Sequence, residues 1–140
     1  MEESGYLHRV QYYETDQMGI VHHSNYIRWF EEARTDLMEQ LGMGYDRMEA
    51  EGIISPVLEV NCQYKSMTRF GETVSIETRV EKYNGIRLEL SYEVKNAETG
   101  EIRAVGNSKH CFLDREGNLL SLKHADIPAH NLFLSAMQKH

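Results

Sequence analysis

The stretch 24-SNYIRWFEEARTDLMEQL-41 decides the fold. Tyr26, Phe30, Ala33, Leu37 and Leu41 recur at steps of four, three, four and four, which puts them on one face of a helix. Ile27, Trp29 and Met38 widen that stripe. So broad an apolar face predicts a helix enclosed by protein. Ser24 or Asn25 is the expected N-cap, and Gly42 the expected stop. A second short helix is predicted over 45–51, ending at Gly52.

Downstream of Ser55 the period changes to two. Leu58, Val60, Cys62 and Tyr64 alternate with polar residues. So do Val74, Ile76, Thr78 and Val80, and then Ile86, Leu88, Leu90, Tyr92 and Val94. Such runs predict antiparallel strands with one buried face. Asn84-Gly85 reads as a two-residue hairpin, residues 96–100 as a looser turn. A last strand is predicted over 102–114, closing at a turn over 115–118. In it, Ala104, Gly106 and Ser108 are small alternate residues that would admit the central helix or a neighbouring subunit closely. Pro128 opens a C-terminal helix carrying Leu132, Phe133 and Met137. Upstream, residues 6–13 alternate weakly as a first strand, and 14–25 read as a polar loop.

The order is therefore strand, long helix, four strands. A sheet must cover its apolar face, and only the helix at 24–41 is long enough to do so. The prediction is an α+β domain over 1–140, an antiparallel β-sheet wrapped around one central α-helix. Its unpaired edges invite association of copies.

Composition narrows the function. With 140 residues, 41% hydrophobic and 26% charged, the chain is of globular type. A formal net charge of -7 argues against a nucleic-acid binder. The start MEESGYLHRV is acidic and does not read as a signal peptide, and no apolar run approaches bilayer length. Cys62 and Cys111 lie in strand-like runs and fit no metal-binding spacing. A reducing cytoplasm is the expected setting. Adjacent His22 and His23 lack the i, i+4 spacing that chelates a metal from one helix face, so no metal or other cofactor is expected.

Asp16 sits where the loop feeds the long helix. Helix N-termini present free N–H groups and partial positive charge, which stabilise developing anions. A carboxylate there can attack or activate water while the N–H groups hold an oxyanion. Thr15-Asp16 reads equally as a turn or a capping pair, and spacing alone does not choose.

The run 12-YYETDQMGIVHHSNYIRWFE-31 resembles the signature of the 4-hydroxybenzoyl-CoA thioesterase type of hotdog protein. Asp16, Gly19, Val21, Asn25, Tyr26, Trp29 and Phe30 carry the match. Glu31, Ala33 and Arg34 are similar to the acyl-CoA thioesterases associated with the Tol-Pal system. The resemblance implies a hotdog fold and hydrolysis of an acyl-CoA by a homodimer or homotetramer with sites at subunit interfaces. It makes Asp16 the catalytic carboxylate, as nucleophile or general base, and the His23 N–H an oxyanion donor. Gly19 and Val21 would shape the loop, and Asn25 and Tyr26 would fix the helix entry and line the pocket. Glu31, on the first helical turns, is favoured there by the dipole alone, and equally could pair with a group of a second subunit or assist Asp16. Lys65, Arg69, Arg103 and Lys109 are the candidate contacts for CoA phosphates. Gln17-Met18 departs from the small pair usual after the aspartate, and a bulky Met18 would reshape the acyl pocket. An acyl-carrier-protein thioesterase and a non-catalytic acyl-CoA-binding module are the competing readings.

Overall fold

A computed structural model describes residues 5–137. The reading of the N-terminus falls partly on residues 1–4, outside those described. Strand β1 (Tyr6–Arg9) leads through a short 3-10 turn (Tyr12–Glu14) to helix α1 (Ser24–Gln40). Helix α2 (Tyr45–Ala50) follows, then strands β2 (Val57–Tyr64), β3 (Thr73–Tyr83), β4 (Arg87–Asn96) and β5 (Ile102–Cys111). Helices α3 (Leu122–Ala125) and α4 (Ile127–Met137) close the described chain. The five strands form one antiparallel sheet in the order β1-β3-β4-β5-β2.

Helix α1 is the expected central helix. Tyr26, Trp29, Phe30, Ala33, Leu37 and Met38 are buried against Val74, Ile76, Leu88, Leu90, Tyr92, Val94 and Ala104. Phe30 stacks flat on Tyr92 of β4, with ring centroids 4.4 Å apart. Each such side chain, fully buried, contributes roughly 1.5–3 kcal/mol. Gly42 (φ +83°) ends the helix as expected, and the Met43 N–H donates back to the Met38 carbonyl over 2.7 Å. Over the far end of the sheet, Phe133 of α4 packs on Tyr83 and Phe112.

Gly106 explains how closely the helix approaches. A Cβ there would meet the Asn61 carbonyl and lie 2.7 Å from a Phe30 ring carbon. Both neighbours are fixed, one in the β2–β5 ladder and one in the core. Gly106→Ala is therefore expected to destabilise the fold by about 2 kcal/mol, read as a lowered urea midpoint at unchanged m.

The structure corrects several boundaries. The first strand stops at Arg9: the Val10 N–H still reaches the Glu72 carbonyl in register, but the Glu72 N–H turns back to the Arg69 carbonyl and residues 12–14 coil into the 3-10 turn. The N-cap is His23, ahead of Ser24 and Asn25. The His22 Nδ1 accepts the Ser24 N–H at 3.2 Å, while the Asn25 amide is drawn inward. The Asn84-Gly85 hairpin spans one more residue, since the Asn84 Oδ1 accepts the N–H groups of both Ile86 and Arg87. Strand β5 ends at Cys111, beyond which Leu113 makes only isolated bridges to Ile54 and Leu119.

The largest correction concerns β2. Its apolar row is not buried: Leu58 is 48% and Tyr64 50% exposed, with Val60 at 36%. Strand β2 is an edge of the sheet, paired among the described residues only with β5, and Tyr64 meets the Tyr26 ring of α1 at 5.3 Å while the rest of the row lies largely open.

Candidate active site

Asp16 stands at the mouth of a small hairpin. Thr15 and Val21 pair as an antiparallel bridge, the Asp16 N–H donates to the Ile20 carbonyl (2.9 Å), and the Gly19 N–H donates to the Asp16 carbonyl (2.9 Å). Gly19 takes φ +78°, a left-handed conformation that a residue with a Cβ disfavours. The Asp16 Oδ1 accepts the Met18 N–H at 2.8 Å. The carboxylate is half-buried, whereas Met18 is 72% exposed and so narrows nothing within this chain.

The hairpin is fastened to its neighbours. The Val21 N–H donates to the Thr68 carbonyl and Ile20 bridges Arg69, so the β2–β3 connection braces one side. Val21 is buried, three residues before α1 begins. The sequence thus brings Asp16, Gly19, Val21, His23 and Asn25 together at one helix N-terminus. The His23 N–H has no hydrogen-bond acceptor among the described residues, and its side chain is exposed. The Asn25 Nδ2 donates to the Glu14 carbonyl (2.9 Å) and to that of His22 (3.4 Å), locking the helix entry.

Tyr26 lies below this entry. It is 3% exposed and donates to the Thr68 hydroxyl over 2.9 Å; burial raises its phenol pKa. Trp29 and Phe30 are likewise core residues. Glu31 is not brought to Asp16. It pairs with Arg34 one turn on, and the two line a separate groove of about 550 Å³ that includes Met38, Met43, Met48 and Ser55.

Of the four cations, two are taken. Arg103 is held by Glu72 (3.0 Å), Glu101 (2.9 Å) and the Met67 carbonyl, so it ties the β2–β3 connection to β5. Lys109 lies between Glu59 and Glu89, 3.7 Å from each, on the outer face of the sheet. Lys65 and Arg69 are exposed on the connection beside the Asp16 hairpin and pair with no carboxylate among the described residues. There, no three His, Cys, Asp or Glu side chains cluster to hold a metal, no helix is long and apolar enough to cross a membrane, and both cysteines are free.

Sequence reasoning missed Glu14. It is 4% exposed, two residues before Asp16. Its carboxylate accepts the Trp29 indole N–H and the Gln11 N–H, each at 2.7 Å, and bonds His8 Nε2 at 2.8 Å. Burial alone would raise its pKa, but the bonds from Gln11, His8 and Trp29 outweigh it and hold the group below the usual carboxylate value. A Glu three residues after a capping position was the available signal for the Gln11 bond.

Hairpin, helix entry and wrapped sheet are the architecture of hotdog thioesterases, and similarity to known proteins agrees. A profile of the Thioesterase-like superfamily matches residues 10–136, and the chain belongs to that superfamily. It is 43% identical over 107 residues to YneP of Bacillus subtilis (strain 168), provisionally named an acyl-CoA thioesterase, covering 76% of this chain and 77% of that one. It is 28% identical over 90 residues to the acyl-CoA thioester hydrolase YbgC of Escherichia coli O6:H1, covering 64% and 67%. A DHNA-CoA thioesterase from Staphylococcus aureus superposes with a TM-score of 0.90 at 34% identity, covering 96% of this chain and 91% of that one.

Proposed function

We propose that the protein hydrolyses an acyl-CoA thioester to the free acid and CoA at Asp16. Its relatives support acyl-CoA thioester hydrolysis in general. The observation that supports this site is a half-buried Asp16 on a braced hairpin that runs through Val21 into the start of α1, where the His23 N–H has no acceptor among the described residues. The carboxylate attacks the carbonyl carbon, releasing CoA thiolate and leaving a mixed anhydride for water to open, or it deprotonates the attacking water. In either case the His23 N–H and the α1 dipole stabilise the oxyanion. A thioester is already activated, so a carboxylate and N–H donors suffice.

Arg69, bridged to Ile20 of the hairpin, and Lys65 on the same connection offer charge to the CoA phosphates, a local exception to an acidic chain. The exposed apolar edge of β2 fits association with a second copy, so that the working unit is a homo-oligomer with shared sites. The free thiols fit a cytoplasmic setting.

The test is a thiol-release assay on acetyl-, hexanoyl-, palmitoyl-, benzoyl- and 1,4-dihydroxy-2-naphthoyl-CoA, with the matching acyl-carrier proteins in parallel. At least one acyl-CoA is expected to turn over with kcat/KM above about 10⁴ per molar per second. Turnover confined to acyl-carrier proteins, or tight acyl-CoA binding without thiol release, would overturn the proposal.

A further inference from the structure

Glu14 is tied to more of the site than any residue so far given a role. Its side chain collects donors from three places: His8 on β1, Gln11 at the 3-10 turn and Trp29 inside α1. Its backbone carbonyl accepts two more, the His22 N–H (2.9 Å) and the Asn25 amide (2.9 Å), which flank His23 on either side. Asp16 follows two residues later on the same strand of the hairpin. One buried residue therefore fixes both the strand that carries the carboxylate and the turn that presents the oxyanion N–H.

Stability alone is a poor reason for this arrangement. Burying a carboxylate costs desolvation, and an apolar replacement of similar volume often serves a core as well. A carboxylate does supply what an apolar residue lacks, a fixed position relative to several donors. We propose that Glu14 is a positioning residue, whose clamp by Trp29, His8 and Gln11 sets the Asp16 carboxylate against the His23 N–H. This rests on the assignment of Asp16 as the catalytic carboxylate.

The expected behaviour of Glu14→Gln follows from counting donors. One amide oxygen and one NH₂ replace two acceptor oxygens. If the NH₂ faces the indole, two donors oppose each other; if it faces Gln11, the same happens with the backbone N–H. The loop must shift either way. Displacement of a reacting group by about 1 Å can cost about 10²-fold in rate.

The experiment uses the full chain and whichever acyl-CoA of the panel the wild type turns over fastest. Glu14→Gln is expected to lower kcat about 10²-fold with KM within about twofold, measured well below its melting temperature. Trp29→Phe, which removes one clamping donor, is expected to show the same split at about tenfold. In the Trp29→Phe background Glu14→Gln should cost much less, because the amide no longer faces the indole N–H. Wild-type kcat in a folded Glu14→Gln protein, whatever its melting temperature, would reduce Glu14 to a buried structural carboxylate. So would two effects that simply multiply. Should Glu14→Gln not fold, Trp29→Phe alone decides, and an unchanged kcat overturns the proposal. Asp16→Asn is the separate control: wild-type turnover there would overturn the parent assignment and leave the clamp with nothing to position.

Discussion

Asp16→Asn is expected to lower kcat about 10³-fold at nearly unchanged KM, with the melting temperature within about 2 °C of wild type. The substitution keeps size and shape. The Asn Oδ1 can still accept the Met18 N–H that the Asp16 Oδ1 accepts now, and the hairpin bonds at Asp16 are otherwise backbone bonds. What disappears is the negative charge, and with it the role of nucleophile or base proposed for Asp16. The donors at the start of α1 remain, so residual catalysis from oxyanion stabilisation is expected above the rate in water. Single-turnover thiol release separates binding from chemistry and checks the split directly. A variant within about twofold of wild type would show that another group carries the reaction.

How far the sequence led can be judged residue by residue. The helix at 24–41 and the strands beyond Ser55 were legible because their periods, 3.6 and two, are local properties of the chain. The hairpin around Asp16 was not legible, since residues 14–25 read as a polar loop; only family resemblance singled out Asp16, because Thr15-Asp16 by itself reads equally as a turn. Glu14 was not legible. Its partners His8 and Trp29 lie six and fifteen residues away, and only the crossing of β1 and α1 brings them together. Nor was the exposure of Leu58 and Tyr64, because alternation predicts which residues share a face and says nothing of whether that strand ends at an edge. Parity put Ala104, Gly106 and Ser108 on one face, and the structure shows that face to be the helix side. Continued one step, it also places His110 there.

His110 is expected to make the protein lose stability on mild acidification. It is fully buried on β5, with Nε2 2.7 Å from the Ser108 hydroxyl, which in turn lies 2.7 Å from the Tyr92 hydroxyl. Nδ1 faces the Pro56 carbonyl without closing a hydrogen bond. Burial first, and the Arg34 cation second, push its pKa down from 6.5 to about 4, against smaller opposing contributions from Glu31 and Pro56. The sign follows from linkage. Above pH 6.5 neither the folded nor the unfolded chain protonates this ring, and its contribution is fully present. As pH falls from 6.5 towards 4 the unfolded chain takes up a proton that the folded chain refuses, and stability drains away, by about 3 kcal/mol once pH is below both values. Roughly 2 kcal/mol of that is expected between pH 7 and pH 5. That window lies above the one in which Glu14 and Glu31, whose carboxyls are held low, lose their own contributions. Urea unfolding of wild type and His110→Leu at pH 7, 6 and 5 isolates the effect, because the two proteins differ at that ring alone. The leucine variant keeps the Ser108–Tyr92 bond and should show a slope shallower by about 1 kcal/mol per pH unit. Parallel slopes would mean that His110 binds its proton equally well folded and unfolded. The core beneath Glu31 and Arg34 would then be open to water.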